Sequence, residues 1–297
     1  MRSPSPSVAI TPLATMALSA VVLAALSGCS TVAEQSESET AASSPSSAAA
    51  VVAPLPTSGG VDYQLGGGYK PAPGVTIVAR DSTDEPATGL YNICYVNGFQ
   101  TQPGEDGAFW LTDHPELLVR TADGEPLVDE GWPDEFLLDT SSESGRDSIA
   151  EILTESIVRC ATSDYDAVEF DNLDSFSRSG SVLTLENNLA LATKLVAIAH
   201  TNGLAAGQKN TAELGARGRD EAGFDFEVSE SCHLWDECAV YTEVYGTAVL
   251  NIEYVDELRG SIDDVCAAPS LPPLTVIRDH NLTTPGSEDY AFFSCEA

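Results

Sequence analysis

Between Val61 and Asp279 the chain repeats one device nine times, a short apolar run that stops on polar or charged residues. Val61 to Leu65 closes on Gly66-Gly67-Gly68, Val75 to Ala79 on Arg80-Asp81, Tyr91 to Val96 on Asn97-Gly98, and Phe136 to Leu138 on Asp139. The run at 166–174 ends in Asp171-Asn172-Leu173-Asp174, Leu204 to Gly207 in Gln208-Lys209-Asn210, and Phe224 to Val228 in Ser229-Glu230. Ala248 to Ile252 leads to Glu253-Tyr254, and Leu274 to Ile277 to Arg278-Asp279. Short apolar runs bounded in this way read as buried strands.

Helical periodicity lies between several of them. Asp147 to Arg159 puts Ile149, Ile152, Leu153 and Ile157 on one stripe, and Leu185 to His200 does the same with Leu185, Leu189, Leu195 and Ala199. Thr184 suits an N-cap and Gly203 a stop beyond the second helix. Strands alternating with helices imply parallel pairing and right-handed crossovers. About eight such units in roughly 240 residues is the scale of a (β/α)8, TIM-type barrel in one domain. Nine strand candidates exceed eight, so one is an edge piece or a cap. A doubly wound sheet fits less well: no Gly-x-Gly-x-x-Gly follows a strand, and Gly66-Gly67-Gly68 has no helix after it.

The amino terminus reads as an export signal. Arg2 precedes an apolar run from Leu13 to Leu26, too short for a comfortable membrane span, ending in Leu26-Ser27-Gly28-Cys29. That ending resembles the lipobox of bacterial lipoproteins, which implies a signal peptide over 1–28 and a lipid on Cys29. Residues 29–58, rich in Ser, Ala and Pro and without aromatic residues, read as a flexible tether. The barrel is expected over 59–297. The protein would then be exported and lipid-anchored on the outer face of the cell membrane, or secreted, touching the membrane through that lipid only.

Six cysteines remain after Cys29, an even number in an exported chain, and sequence alone leaves fifteen connectivities open. Cys232 with Cys238 is favoured as a small loop and Cys266 with Cys295 as a C-terminal tie, which leaves Cys94 with Cys160. A metal site is not expected, because His233 is the only histidine near a cysteine pair.

The formal net charge of -33 excludes nucleic acid as a partner and favours cationic ligands or plain solubility. No Gly-x-Ser-x-Gly elbow, phosphate loop or paired metal-binding histidines occur, and no cofactor is implied. What remains is carboxylates at strand ends, where barrels of this kind carry their active sites. In the stretch Asp166 to Asp174, Val168 and Phe170 would face one way and Glu169 and Asp171 the other, with Asn172 and Asp174 on the loop beyond. Two carboxylates are the equipment of glycoside hydrolysis, one to protonate the leaving oxygen and one to attack or to activate water.

Five segments carry a resemblance. Tyr-Asp-Ala-Val-Glu-Phe-Asp-Asn-Leu-Asp at 165–174, Gly-Leu-Ala-Ala-Gly-Gln-Lys-Asn at 203–210, Phe-Asp-Phe-Glu-Val-Ser-Glu-Ser-Cys at 224–232, Asp-Glu-Cys at 236–238 and Asn-Ile-Glu-Tyr at 251–254 follow one another in the order and approximate spacing seen in glycoside hydrolase family 114, the endo-α-1,4-polygalactosaminidase family. The resemblance runs from about Val61 to Asp279. It implies a (β/α)8 barrel, endo-acting hydrolysis of α-1,4-linked galactosamine polymer, and catalytic residues at Asp171 and Glu230. Glu169 and Asp174, near in sequence, favour Asp171 as the group with the raised pKa. Gln64, Tyr95, Lys209, Asn210 and Glu253 match or adjoin positions that line the family's cleft. With the strand-end residues Asp81, Asp139, Glu169, Asn172, Asp174 and Tyr254 they form the expected substrate-binding set.

The pattern also departs from the family. Phe170 stands where many members have Pro, the second strand lacks acids before Asp81, and Asn97-Gly98-Phe99-Gln100 replaces small residues followed by an acid. The expectation is thus a monomeric hydrolase of a cationic amino-sugar polysaccharide. The alternative is a non-catalytic glycan-binding or solute-binding lipoprotein on the same scaffold, since fold does not fix function.

Overall fold

A computed structural model of the chain describes residues 51–295. The signal peptide, Cys29 and most of the tether lie outside the described residues. Eight strands pair in chain order: β1 (Gly60–Gln64), β2 (Val75–Asp81), β3 (Tyr91–Asn97), β4 (Ala167–Asp171), β5 (Ala205–Lys209), β6 (Phe226–Glu230), β7 (Val249–Tyr254) and β8 (Leu274–Arg278). Every pairing among them is parallel. A ninth strand, β9 (Phe292–Ser294), lies antiparallel on β8. Because β8 packs back against β1, the sheet curls into a nearly closed barrel of the expected (β/α)8 kind. The helices are α1 (Glu105–Asp113), α2 (Glu143–Thr162), α3 (Ser175–Arg178), α4 (Leu185–Thr201), α5 (Cys232–Trp235), α6 (Cys238–Tyr245) and α7 (Ile262–Cys266). Among the described residues no helix is long and apolar enough to cross a membrane.

One expected strand is corrected. Phe136 to Leu138 does not join the barrel; it forms isolated antiparallel bridges with Val128, Gln100 and Leu118 inside the excursion between β3 and α2. Its apolar residues cover that excursion, with Leu137 and Leu138 fully buried. The acidic stretch therefore lies on the fourth strand, and the extra strand is β9. The packed region also begins earlier than residue 59, because Leu55 is buried among the barrel residues and the Ala53 carbonyl accepts a 2.9 Å hydrogen bond from the Tyr91 hydroxyl.

Side-chain alternation builds two cores from one sheet. Tyr63, Ile77, Ala79, Ile93, Ala167, Ala205, Phe226, Val228 and Ile252 fill the barrel interior. Val168, Phe170 and Ala206, one residue out of phase, face α2 and α4, meeting Ile149, Leu153 and Ile157 of the first and Leu189, Leu195 and Ala199 of the second. The second helix keeps its expected bounds to within one residue, whereas the first, expected over Asp147 to Arg159, starts four residues earlier and ends three later. Thr184 caps α4 in a full capping box with Asn187, and Gly203 at φ 80° follows its end. Gly207 on β5 is required by packing, since a Cβ there would lie 2.6 Å from the Phe226 ring.

Arg278 crosses the seam between β8 and β1. Fully buried, it donates from Nη1 to Asp62 Oδ1 at 3.2 Å and to the Tyr63 carbonyl, from Nη2 to Thr283 O at 2.8 Å, and from Nε to Ala291 O at 2.9 Å. Three disulfides complete the fold in the favoured connectivity: Cys94–Cys160 joins β3 to α2, Cys232–Cys238 links α5 to α6, and Cys266–Cys295 ties α7 to the C-terminal segment. Cys232 and Cys238 are thereby bonded to each other and not free to ligate a metal.

Candidate active site

Strand parity sends a set of polar residues into the top of the barrel. On β4, Ala167 faces the interior, so Glu169 and Asp171 do as well; on β5 the same phase carries Lys209, and on β6 it carries Glu230. Tyr63 and Tyr95 enter from β1 and β3, and Tyr254 from β7. Glu169 and Lys209 are almost completely buried, while the carboxyl groups of Asp171 and Glu230 reach the surface of a cleft of about 810 Å³.

Lys209 stands at the centre. Its Nζ lies 3.4 Å from Asp171 Oδ1, 3.5 Å from Glu230 Oε2 and 3.9 Å from Glu169 Oε1, and it donates to the Tyr63 hydroxyl at 3.0 Å. Asp171 Oδ2 accepts from the Tyr95 hydroxyl at 2.7 Å and Oδ1 from the Asn172 backbone N–H at 2.7 Å. Glu230 Oε2 accepts from Asn210 Nδ2 at 3.0 Å and Oε1 from the Tyr254 hydroxyl, and the Tyr254 ring stacks on His280 with centroids 4.4 Å apart. Tyr63 donates to Glu169 Oε1.

These contacts separate the carboxyl groups by charge state. Burial pushes Asp171 up, but the Lys209 ammonium, the Tyr95 hydroxyl and the Asn172 N–H outweigh it and hold the group below its ordinary value. The sequence expectation of a raised Asp171 is therefore corrected: Lys209, remote in sequence, supplies an opposite charge that exceeds the repulsion of neighbouring acids. Burial pushes Glu169 up to about 7, and its Oε2 has no hydrogen-bond partner. Burial also works against the Lys209 charge, but the surrounding carboxylates, Asp171 foremost, keep the ammonium protonated well above its usual range.

Immediately beyond each of these three strands the backbone turns through left-handed residues that are not glycine. Asn172 follows Asp171 with φ 63°, Asn210 and Thr211 follow Lys209 with φ 49° and 66°, and Ser231 follows Glu230 with φ 56°. Such conformations persist where the surroundings over-determine them.

Of the expected site residues, Asp81, Tyr95, Asp171, Asn172, Asp174, Lys209, Asn210, Glu230 and Tyr254 line the cleft. Four do not. Glu169 lies beneath the floor. Gln64 faces outward from β1, donating to Asp62 and accepting from Arg80 and Tyr69. Glu253, out of phase with Tyr254, accepts from the His233 N–H at the start of α5. Asp139 accepts from the Ser141 N–H just before α2. The cleft also contains residues not anticipated: Trp132 and Glu135 from the excursion after β3, Arg178 of α3, and Trp235 of α5. Burial pushes Glu135 up to about 7 against hydrogen bonds from Gln100 and Asn97. No local pattern marks these four, because they lie on connecting segments rather than at strand ends.

Residues 40–297 match the model of the glycoside-hydrolase family GH114. The chain belongs to this family of glycoside hydrolases. Two solved structures share the fold of this GH114 chain. The crystal structure of Aspergillus fumigatus Ega3 in complex with galactosamine superimposes with a TM-score of 0.63 at 20% identity, covering 78% of this chain and 96% of that one. The glycoside hydrolase domain of PelA from Pseudomonas aeruginosa gives 0.51 at 14% identity, covering 78% and 99%. No curated protein matches the sequence.

Proposed function

We propose that this GH114 chain is an endo-acting hydrolase of α-1,4-linked galactosamine polysaccharide, with Asp171 as nucleophile and Glu230 as acid/base. The observation carrying the reading is the shared cation. With Lys209 Nζ 3.4 Å from one carboxylate and 3.5 Å from the other, the nearest oxygens of Asp171 and Glu230 lie within about 7 Å of each other across an open cleft. That bound on the nearest oxygens accommodates the roughly 5–5.5 Å spacing of a retaining pair.

Asp171, kept ionised, attacks the anomeric carbon while the glycosidic C–O bond breaks and the leaving oxygen takes a proton from Glu230. Glu230, now a carboxylate, takes a proton from water as that water displaces Asp171 from the glycosyl-enzyme. Lys209 and the Tyr95 hydroxyl hold the Asp171 charge before attack and after release. Asp81, Asp129, Glu135, Asp174, Glu213 and Glu237 make the walls acidic, which suits the ammonium groups of de-N-acetylated sugars. The galactosamine bound by Ega3 supports the same substrate class.

Reducing-end release from an α-1,4-galactosamine polymer, followed with the parent, Asp171→Asn and Glu230→Gln proteins, tests the assignment. Both variants should fall at least a thousandfold, and the first-formed product should be the α anomer. Parental rates in either variant, or β product, would overturn the roles given. The reading also puts the enzyme outside the cell on a Cys29 lipid, in keeping with three disulfides. Cys29→Ala should then move the protein from the membrane fraction to the medium.

A further inference from the structure

The chain has three tryptophans, and burial divides them sharply. Trp110 is 2% exposed in the core, whereas Trp132 and Trp235 are 54% and 66% exposed, and both line the cleft. They stand on two arms that leave different strands of the barrel, Trp132 on the excursion after β3 and Trp235 on α5 after β6, with β4 and β5 between those strands in the sheet. A large exposed ring gains little from folding, and isolated cases on a surface need no explanation. These two differ because the backbone beneath each is held rigidly.

Beneath Trp132 lies Asp129, only 3% exposed. Its Oδ1 accepts from the Gly131 and Trp132 N–H groups at 2.8 and 3.2 Å, and its Oδ2 accepts from Arg178 Nε at 2.6 Å. The Trp132 carbonyl in turn accepts from the Glu135 N–H at 2.9 Å. Beneath Trp235 lies the short loop closed by Cys232–Cys238, whose cysteines are six positions apart. There the Trp235 N–H donates to Ser231 O at 3.0 Å, and the Glu237 N–H to Cys232 O at 2.8 Å. A half-buried ion pair in one arm and a disulfide in the other fix the backbone under a ring left open to solvent. Pre-ordering of this kind lowers the entropy lost on binding a ligand. The C–H face of a pyranose is the apolar surface in a sugar polymer that matches a flat indole.

We infer that Trp132 and Trp235 are the sugar-stacking platforms of the two arms, each anchoring a stretch of the glycan on its own side of the bond that is cut. The inference rests on the glycoside hydrolase reading above and extends it: one platform per arm holds the chain across the acids, as internal cleavage requires.

Trp132→Ala and Trp235→Ala, both at exposed positions, test it by kinetics on long α-1,4-galactosamine polymer and by intrinsic fluorescence. Each should raise KM up to about tenfold while kcat stays within about twofold, because neither ring touches the reacting atoms. Phe at either position should recover most of the loss. Titrating an α-1,4-galactosamine hexasaccharide into the Asp171→Asn protein should change the tryptophan emission. That change should diminish when either exposed tryptophan is removed, since the buried Trp110 contributes a constant background. Unaltered KM and unaltered emission change in both variants would overturn the inference. If the parent cuts no polymer yet its emission responds to the hexasaccharide through these two residues, the platforms stand and the proposed reaction falls. No response in any protein removes the platforms.

Discussion

Lys209 Nζ lies 3.4 Å from Asp171 Oδ1, a contact between adjacent strands that sets the charge on the residue best placed to attack a sugar. Lys209→Met keeps the length of the side chain and removes its charge. Asp171 then loses its principal stabilising partner, so its pKa rises and the acidic limb of the kcat/KM profile moves to higher pH. Activity at neutral pH should fall about a hundredfold or more. The melting temperature should fall most at alkaline pH, where three carboxylates share one pocket without a cation. A pH–rate profile with an unmoved acidic limb would refute the role given to Lys209.

Glu169 gives the opposite pH dependence to Asp171. Its carboxyl rises to about 7 on folding from the ordinary 4.5, so between those values the folded chain binds more protons at this site than the unfolded chain does. Stability from this site is therefore lost as pH climbs through that window. Asp171, lowered on folding, contributes stability that is lost only as pH falls below its usual 3.8. Glu169→Gln should flatten the decline in melting temperature between about pH 4.5 and 7. Thermal melts at half-unit pH intervals measure it, and an unchanged slope would count against the shift.

Tyr254→Phe removes the hydroxyl that donates to Glu230 Oε1 and leaves the ring stacked on His280. Loss of a hydrogen bond of this kind corresponds to about 0.5–1.5 kcal/mol, hence roughly a 2- to 12-fold fall in kcat/KM. The melting temperature should change little. A large drop in stability with intact activity would make Tyr254 a packing residue only.

Cys94–Cys160 closes the longest disulfide loop, joining β3 to α2 across a sequence separation of 66. The chain-entropy relation assigns such a loop about 4 kcal/mol. The Cys94→Ala/Cys160→Ala protein should melt on the order of 10 °C lower, while the Cys232→Ala/Cys238→Ala protein, whose paired positions are six apart, should lose less stability but bind glycan more weakly through Trp235. Calorimetry with parallel KM measurements separates the two effects.

What the amino-acid sequence discloses follows from how far each signal extends along the chain. Strand parity is local, so Asp171 and Glu230 could be placed at strand ends and Val168 and Phe170 on the opposite face without any tertiary information. Phe136 to Leu138 has the same local pattern as a barrel strand, and only its antiparallel partners show that it covers an excursion. The state of Asp171 depends on Lys209, 38 positions along, and on Tyr95, 76 positions back, so neighbouring acids were a poor guide to it. Trp132 and Glu135 reach the cleft on the excursion after β3 and Arg178 on α3 after β4, connections whose paths periodicity does not encode. Glu253 matched a motif, but its phase on β7 turns it away from the cleft toward α5.

The left-handed turns at Asn172, Asn210–Thr211 and Ser231 separate the barrel's chemistry from its specificity. Each lies directly between a strand-end side chain of the site and the connection that follows, so the direction in which the chain leaves the strand is set before the connection begins. Segments beyond these pivots carry outer walls of the cleft, Asp174, Glu213 and Trp235 among them, while Asp171, Lys209 and Glu230 stay on the strands. For anyone redirecting this scaffold to a different polysaccharide, the pivots are best left alone.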